Sequence, residues 1–264
     1  MKVSVCSYRP ILSPCGLKGI DYQVDTYVGC EHRCYYCYVL NQAETDWSKE
    51  ILIHKDIASQ LGKEIEKIPP QTIYMGYLTD PYQPCEVEYC QTRKVLELFL
   101  EKGFSASILT KSDLVSRDVD ILREMDNAAV SVSVAFNDNH TRQHFEANTI
   151  DTEARIDALR KLKAAGVKTG ALICPVIPFI LDVIPMIDIL AFHTDEIWIY
   201  GLSILERSDR NWQNVQRILY NHFPDLENQI ETVVFSKDQS YWTRLRKQLI
   251  ELQKDRQLNL NIHL

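Results

Sequence analysis

The sequence has no long hydrophobic run, because no stretch approaches the roughly 18 consecutive apolar residues that suggest a transmembrane helix. It also lacks a charged-then-apolar leader, so we expect neither a membrane span nor a signal peptide, and a cytoplasmic location. Internal repeats, low-complexity segments and long Gly/Ser linkers are missing too. These absences make one continuous domain the expected organisation.

The sequence has fewer basic than acidic residues. The 29 Lys and Arg side chains are outnumbered by 36 Asp and Glu, which gives a net charge of −7. This balance weakens the case for binding nucleic acid mainly through its phosphates. One stretch, residues 237–256, is locally basic and contains Tyr241 and Trp242, so a nucleic-acid surface there can be imagined. The solvated face of a helix is the favoured interpretation, because such charge patterns are ordinary on exposed helices.

Cysteine, by contrast, is well represented, with eight residues. In a chain without an export signal these are expected to be reduced thiols that bind metal or pack in the core. Cys30, Cys34 and Cys37 lie in the run Gly-Cys-Glu-His-Arg-Cys-Tyr-Tyr-Cys-Tyr (29–38), a spacing that can hold three corners of a cubane iron–sulfur cluster. Because four cysteines usually hold such a cluster, a missing fourth leaves one iron free to coordinate a small molecule.

Soft sulfur ligands favour iron–sulfur or zinc chemistry over hard cations. Zinc stays open as an alternative, although a closed structural zinc site has four ligands and the loop offers no fourth cysteine. His32, inside the loop, is expected to shape the surroundings of the cluster rather than to ligate it. The remaining thiols invite a second, auxiliary cluster, but buried reduced cysteines are the default interpretation. They include Cys6, Cys15, Cys85 and Cys90.

Strand-like alternation and helical periodicity take turns along the chain. They predict strands over 24–28, 73–77, 105–109, 130–134, 167–173 and 197–200, each followed by a helical segment. Alternating β and α units imply a parallel sheet covered by helices, with right-handed crossovers. Six such units do not complete the eight-stranded barrel. The predicted fold class is therefore α/β, an open (β/α)6 partial TIM barrel of parallel strands with flanking C-terminal helices.

The predicted organisation has three parts. An N-terminal extension (1–22) precedes the core (23–205), and a C-terminal helical segment (206–264), with helices near 211–221 and 239–255, packs on that core. Within the core, the cysteine loop and the later polar motifs all follow predicted strands. Because barrel folds assemble their sites at the C-terminal ends of the strands, we expect this chemistry to converge on one mouth.

The cysteine motif, with an aromatic residue before its last cysteine, resembles the cluster motif of the radical S-adenosylmethionine (SAM) enzymes. Three later stretches resemble the spore photoproduct lyase-like branch of that superfamily: Gly76-Tyr-Leu-Thr-Asp-Pro-Tyr-Gln-Pro-Cys-Glu86, Leu109-Thr-Lys-Ser-Asp113 and Pro175-Val-Ile-Pro178. The resemblance implies a [4Fe–4S] cluster on the three cysteines, with SAM chelating the fourth iron. A reductase such as flavodoxin or ferredoxin would supply an electron that splits SAM into methionine and a 5′-deoxyadenosyl radical, which abstracts hydrogen from a substrate.

The resemblance also implies contacts to SAM. Thr79 and Asp80 would receive its ammonium group through charge-assisted hydrogen bonds, although Asp before Pro can merely start a turn. Lys111 would pair with the SAM carboxylate, the alternative being an exposed lysine at a strand end. Ser133 matches a family serine near that carboxylate or the ribose, but a serine in a half-buried strand could equally satisfy a neighbour.

The nucleoside end of SAM is assigned in the same way. Tyr36 and Tyr38 flank the third cysteine, where an aromatic face would give adenine a stacking surface. Cys174 and Pro175 occupy a stretch that approaches adenine in relatives, although Cys174 could be a small buried hydrophobe. Further candidates for this side of the pocket are Asn137 and Arg155. Glu146 matches a recurrent family glutamate without an assigned role.

The later chemistry departs from that of spore photoproduct lyase. The lyase returns hydrogen from a cysteine just upstream of its Ser/Thr-Asp pair, whereas the matching stretch here, Met75-Gly-Tyr-Leu-Thr-Asp80, contains none. Tyr77 takes the approximate place, and its O–H is the candidate catalytic hydrogen donor. We therefore expect a radical SAM enzyme with a different substrate. Two alternatives remain: nucleic-acid repair or modification through residues 237–256, and a non-catalytic metal-binding module.

Overall fold

A mostly parallel sheet organises the chain. The computed structural model describes residues 1–6, 9–43 and 45–264. Its strands are β1 (Lys2–Val5), β2 (Leu12–Pro14), β3 (Tyr22–Val24), β4 (Tyr27–Val28), β5 (Glu50–Ile53), β6 (Thr72–Met75), β7 (Ser105–Thr110), β8 (Ala129–Ser133), β9 (Lys168–Val176), β10 (Glu196–Gly201) and β11 (Leu260–His263). Its helices are α1 (Ile57–Ile65), α2 (Glu86–Tyr89), α3 (Gln91–Lys102), α4 (Val119–Leu122), α5 (Asn139–Phe145), α6 (Thr152–Ala164), α7 (Val183–Leu190), α8 (Arg210–His222), α9 (Pro224–Phe235) and α10 (Ser240–Arg256).

Within the described residues, eight strands form the main sheet in the order β2-β3-β6-β7-β8-β9-β10-β11. Neighbouring strands are parallel except β2 and β3, which are antiparallel. Five of them, β6 to β10, correspond to strands that the sequence predicts, and β3 shares only Val24 with the predicted strand over 24–28. Consecutive strands are neighbours, as short βαβ crossovers favour. The expected open partial barrel is confirmed.

The first two core strands end earlier than the sequence predicts. β3 stops at Val24, and Tyr27–Val28 instead pairs antiparallel with β5 in a second, smaller sheet. The prediction of one strand over 24–28 was wrong, because Asp25 accepts a hydrogen bond from the Leu78 N–H at 2.8 Å where the chain leaves the barrel. β6 stops before Gly76, whose φ of +110° suits glycine. A Cβ there would also lie 2.3 Å from the Leu109 carbonyl oxygen of β7.

Apolar faces of the helices cover one side of the sheet. Helix α1 buries Ile57, Leu61 and Ile65, which recur every four residues as a helix face requires. Similar faces on α3 and α6 bury Val95, Leu96, Phe99, Ala158, Leu159 and Leu162. Each large side chain buried in this way contributes roughly 1.5–3 kcal/mol. The core therefore lies between the helices and the sheet, and the opposite face of the sheet is free to line a cavity.

Strands from both ends of the chain join this sheet. β11 pairs in parallel with β10, with Trp198 opposite Asn261 and Tyr200 opposite His263. The sequence predicts helices near α8 and α10 but neither α9 nor β11. Division of the chain at residues 22 and 205 stays a prediction, although β2 and β11 show that the flanking segments extend the main sheet. In the described part of the chain, no helix has both the length and the apolar character needed to cross a bilayer.

Candidate active site

A cavity of about 800 Å³ extends inward from the C-terminal ends of the strands. Cys30, Cys34 and Cys37 line it together. The other predicted site residues on its wall are Tyr36, Tyr38, Tyr77, Thr79, Asp80, Lys111, Cys174 and Pro175. The structure thus brings together residues from the ends of several strands, separated by more than a hundred positions in the chain.

Three predicted site residues do not line this cavity. Asn137 is exposed beyond the end of β8. Arg155 is buried on α6, where its guanidinium donates to the Ser133 carbonyl at 2.9 Å and to Thr149 Oγ1 at 2.5 Å. Ser133 itself is buried behind the wall. Asn137 is thus exposed to solvent, and Arg155 is hydrogen-bonded inside the protein. Their assignment to the nucleoside side of the pocket stays a prediction.

The cysteine loop is tied to the segment that follows β6. Thr79 Oγ1 donates to the Gly29 carbonyl at 2.5 Å, and Gln83 Nε2 donates to the same oxygen at 3.2 Å. Gln83 Oε1 accepts the Glu31 N–H at 2.8 Å, and Glu31 Oε2 accepts the Cys85 N–H at 2.5 Å. The Thr79 hydroxyl is thus engaged in holding the loop. Gln83 and Glu31, which our reading of the sequence did not single out, lie within the motifs quoted for the family resemblance.

The segment that follows α5 holds the loop from another direction. The Tyr35 N–H donates to the Phe145 carbonyl at 3.0 Å, and Asn148 Nδ2 donates to the Glu31 carbonyl at 3.1 Å. His32 Nδ1 lies 3.3 Å from the Asn148 carbonyl oxygen. Contacts from two separate segments, one after β6 and one after α5, therefore orient the three thiols before any ligand binds.

Burial disfavours the thiolate form of the three cysteines. It raises the pKa of Cys30 to about 12 and also raises the pKa of Cys34 and Cys37. A bound metal reverses this preference, because a coordinating thiol loses its proton outright. Three thiols on one cavity wall therefore fit a metal cluster, and sulfur donors suit iron and its sulfide clusters.

A site for a single metal ion, unlike a cluster site, needs several side chains that converge on one point. Across residues 1–6, 9–43 and 45–264, no group of three or more His, Cys, Asp and Glu side chains converges as ligands of one metal ion would. The thiolates of a cubane cluster need not converge on one point, since each binds a separate iron. Outside the loop, Cys6 Sγ lies 3.7 Å from His54 Nδ1, and Cys15 Sγ accepts the Leu17 N–H at 3.5 Å.

Asp80 is buried and already has several partners. Its carboxylate accepts the Tyr82 N–H at 2.8 Å, the Thr110 hydroxyl at 2.7 Å and the Lys111 N–H at 2.7 Å. It also lies 3.2 Å from His32 Nε2. Burial acts to raise the pKa of this carboxyl, but His32 and the hydrogen-bond donors outweigh it and lower the pKa to about 2. An ionised Asp80 therefore joins the ends of β6 and β7 to the cysteine loop.

Lys111 presents a partly buried cation to the cavity. Its Nζ donates to Ser133 Oγ at 3.1 Å and lies 5.8 Å from the centroid of the Tyr36 ring. Burial acts to lower the pKa of Lys111, but nearby Cys34 and Glu146 outweigh it and raise the pKa. The ammonium group is thus suited to an anionic ligand group. Ser133 supports this lysine, which agrees with the alternative that the serine satisfies a neighbour.

Glu146 anchors the middle of the cysteine loop. Its carboxylate accepts the hydroxyl of Tyr36, which lies between the second and third cysteines, and accepts Arg155 Nη2 at 2.5 Å. Both charged side chains are almost fully buried. Burial acts to raise the pKa of Glu146, but Arg155 and Lys111 lower it. The family pattern points to this glutamate, whereas only the structure identifies its partners.

Tyrosines form a connected wall from the cysteine loop into the barrel. Tyr38 donates its hydroxyl to the Tyr77 carbonyl at 2.6 Å. The ring of Tyr77 meets those of Tyr38 and Tyr74 edge-on, with centroids 6.2 and 6.4 Å away. Cys174 also faces the cavity, and burial raises its pKa to about 11, so it is a neutral thiol. The role of Tyr77 as hydrogen donor stays a prediction.

Comparison with known proteins identifies the class. The family model of the radical SAM superfamily matches residues 24–185. The chain belongs to the radical SAM superfamily, a superfamily of enzymes. An uncharacterised protein of Methanocaldococcus jannaschii is 30% identical over 185 residues, which cover 69% of this chain and 70% of that protein.

Spore photoproduct lyase is similar in sequence and in fold. The lyase of Geobacillus sp. (strain Y412MC61) is 24% identical over 159 residues, covering 59% of this chain and 46% of the lyase. A solved spore photoproduct lyase variant with bound AdoMet and dinucleoside spore photoproduct gives a TM-score of 0.58 at 17% identity, covering 84% of this chain and 66% of the lyase. The chain thus shares the fold but spans only part of these proteins.

Proposed function

We propose that this chain binds a [4Fe–4S] cluster through Cys30, Cys34 and Cys37 and reductively cleaves SAM to a 5′-deoxyadenosyl radical. The observation that carries the proposal is that one loop presents three free thiols, that of Cys34 buried and the other two partly buried, to a cavity that Lys111 also lines. Membership of the radical SAM superfamily supports it.

When bound, the cluster would supply one electron to SAM coordinated at its fourth iron. The three cysteines would hold it as thiolates, which the charge of the metal permits despite their burial. Lys111 would pair with the SAM carboxylate through a charge-assisted hydrogen bond. Asp80 would receive the SAM ammonium group on a carboxylate that it shares with the donors already present.

Aromatic side chains at the mouth would hold the adenosine part of SAM. The Tyr36 ring is oriented by the hydrogen bond to Glu146, and Tyr38 is oriented by its bond to the Tyr77 carbonyl. Both offer ring faces or edges to a nucleobase, and Pro175 covers the same end of the cavity. Tyr77 would return a hydrogen atom to the product radical. A flavodoxin or ferredoxin-type reductase would deliver the electron in the cytoplasm.

The test is anaerobic reconstitution with iron and sulfide, followed by incubation with SAM and dithionite. We expect a brown protein that dithionite bleaches, and 5′-deoxyadenosine as a product. Colourless protein that retains stoichiometric zinc would contradict the proposal and favour the metal-binding module. A brown protein that never yields 5′-deoxyadenosine would retain the cluster and contradict the SAM chemistry.

Nucleic-acid repair or modification is the second candidate, because the similar lyase structure contains a dinucleoside photoproduct. The basic stretch gives it limited support, since several of its cations have partners within the chain. Lys247 lies 3.9 Å from Glu251, Arg256 pairs with Asp188, and Arg246 donates to the Leu264 carbonyl. Binding to DNA or RNA that weakens steeply with salt would support this candidate, and no binding at low salt would remove it.

A further inference from the structure

The cavity continues well past the cysteine loop. Ser107, Ala129 and Ser131 line it at or near the beginnings of β7 and β8, and Glu196 lines it at the beginning of β10. Closed barrels fill this interior with bulky branched side chains. Here the small residues of β7 and β8 leave the interior open towards the N-terminal ends of the strands. None of the contacts proposed for the cluster or for SAM uses this inner half.

One wall of the inner half is aromatic. Trp198 and Tyr200 share one face of β10, because side chains two residues apart in a strand point the same way, and His263 lies beside Tyr200 on β11. The three rings stack on one another, with interplanar angles of 8°, 6° and 4° and centroids 6.4, 5.6 and 4.5 Å apart, so a ligand ring has access only to the ring surfaces that face the cavity. Tyr74 lines the cavity from β6. Such a wall is suited to stacking against a flat ring.

A polar pair lies at the inner end of this wall. Glu196 is two residues before Trp198, about 7 Å along the strand. On β9, Gly170 separates Glu196 from Ser131, and a Cβ on this glycine would lie 2.5 Å from Ser131 Oγ and 3.7 Å from Glu196 Cγ. The absence of a side chain at Gly170 therefore lets the hydroxyl and the carboxylate lie side by side.

Among the described residues, neither the Glu196 carboxylate nor the Ser131 hydroxyl uses its full hydrogen-bonding capacity. Glu196 lies 3.6 Å from Lys168 Nζ, but that lysine side chain is 59% exposed, and such pairs contribute little. Among the described residues, the Ser131 hydroxyl has no hydrogen-bond partner. A charged acceptor and a hydroxyl donor thus remain available to a ligand that lies against the aromatic wall.

Resting on the proposed function, we infer that this inner half binds the substrate, and that the substrate carries an amino-substituted, planar nitrogen heterocycle. The ring stacks on Trp198 and Tyr200. Its exocyclic amino group donates to Glu196, as a carboxylate accepts from the amino group of cytosine. Ser131 donates to the ring nitrogen beside that amino group. A small molecule is favoured over a nucleic-acid chain, because a carboxylate at the end of the cavity repels phosphates and the chain carries a net charge of −7.

The experiment compares cytidine with N4,N4-dimethylcytidine, which has the same ring but no amino hydrogen. Calorimetry uses the reconstituted protein with saturating SAM and no reductant, so that the adenine site is filled and SAM stays intact. One stacked ring and one charge-assisted hydrogen bond predict a cytidine dissociation constant of about 1 mM or tighter. The dimethyl analogue should bind about tenfold more weakly.

Variants separate the contribution of the hydrogen bond to Glu196 from that of the aromatic contact with Trp198. Glu196→Leu should remove the discrimination between the two nucleosides, and Trp198→Leu should weaken both by about tenfold. Glu196→Gln, which keeps the volume, serves if a leucine variant does not fold, and it should reduce the discrimination. Glu251→Leu, on the exposed face of α10, is the matched control and should change neither affinity.

Four outcomes would overturn the inference: no cytidine binding at millimolar concentration, equal affinity for the analogue, competition by SAM, or unchanged discrimination in both Glu196 variants. Competition between SAM and cytidine would show that the aromatic wall binds the adenine of SAM. The same titration on Cys34→Ala protein without SAM separates the two proposals. Binding there, without SAM cleavage by the reconstituted wild type, would remove the proposed function alone. SAM cleavage without nucleoside binding would remove this inference alone.

Discussion

The two halves of the cavity differ in how their charged groups are satisfied. Beside the cysteine loop, Asp80 and Glu146 each have several protein partners, and the Lys111 ammonium group is bonded to a buried serine. In the inner half, the Glu196 carboxylate has one weak partner among the described residues, a largely exposed lysine. The carboxylates of the first half are thus paired within the protein, whereas the carboxylate of the second half keeps hydrogen-bonding capacity for a ligand.

This difference has a physical basis. A buried charge is costly unless it is paired and hydrogen-bonded, so the buried carboxylates of Asp80 and Glu146 need partners within the protein. Such a network also holds the ligand-binding groups in place before the ligand arrives. Glu196 is partly exposed and can remain hydrated until a ligand displaces water. The comparison therefore separates a preorganised cofactor end from an adaptable substrate end.

The largest expected effect comes from removing one thiol of the cysteine loop, at the cofactor end of the cavity. Cys34→Ala should abolish cluster assembly and SAM cleavage, because only two cysteines of the loop remain to bind iron. Iron and sulfide content and 5′-deoxyadenosine measure the two losses. Cys90→Ser is the control, since Cys90 does not line the cavity. Normal iron content in Cys34→Ala would contradict the ligand assignment.

Breaking the buried pair behind the loop should cost stability. Glu146→Gln leaves the Arg155 charge buried without its partner, and this should lower the free energy of unfolding by about 3 kcal/mol. Urea unfolding at pH 7 measures it. Glu124→Gln removes a 60% exposed partner of Arg123, so the change there should not exceed about 1 kcal/mol. Equal changes in the two variants would show that the buried network is not special.

The same pair predicts a pH dependence. The pKa of Glu146 in the folded protein is lowered from its ordinary value of 4.5. Its contribution to stability should therefore be fully present above pH 4.5 and be lost as the pH falls through the lower folded pKa. The difference in unfolding free energy between wild type and Glu146→Gln should shrink below that pH. A constant difference would contradict the lowered pKa.

A moderate effect is expected on SAM binding. Lys111→Met keeps most of the side-chain volume but removes the ammonium group, so SAM affinity should fall about 10- to 100-fold, as for the loss of a charged hydrogen bond. Equilibrium dialysis on reconstituted protein measures the affinity, with iron content unchanged. Lys247→Met, at a side chain 77% exposed on α10, should have no effect. Unaltered SAM affinity in Lys111→Met would show that this lysine has a structural role and does not bind SAM.

The smallest expected effect compares two serines of β8, one from each half. Ser133→Ala loses the hydrogen bond to Lys111 and should lower the unfolding free energy by about 1–2 kcal/mol. Ser131→Ala loses no hydrogen bond within the described part of the chain and should stay within about 0.5 kcal/mol. Chemical unfolding of both variants in parallel gives the contrast. Similar losses would remove the distinction between a satisfied and an open half.

Much of the fold follows from local patterns. Strands β6 to β10 and the helices between them were predicted because alternation and helical periodicity are local signals. β11 was missed because Leu260–His263 is only a short strand, which becomes recognisable through its pairing with β10. The predicted 24–28 strand failed for a similar reason, since Asp25 is held by Leu78, a residue far along the chain.

Some features of the candidate site were also predictable from the sequence, and others were not. The cysteine spacing and the strand-end positions of Asp80 and Lys111 were readable in the sequence, and the structure brings them to one cavity. The partners of these residues were not readable. Arg155 resembled a pocket residue, but it is turned towards Glu146 behind the wall.

The sequence alone determined the radical SAM motif, the order of the βα units and hence the edge at which the chemistry gathers, because spacing and periodicity are properties of neighbours in the chain. Only the tertiary structure decided which charges are satisfied and which remain open. Burial and hydrogen bonding depend on residues that meet across strands, as Ser131, Gly170 and Glu196 do.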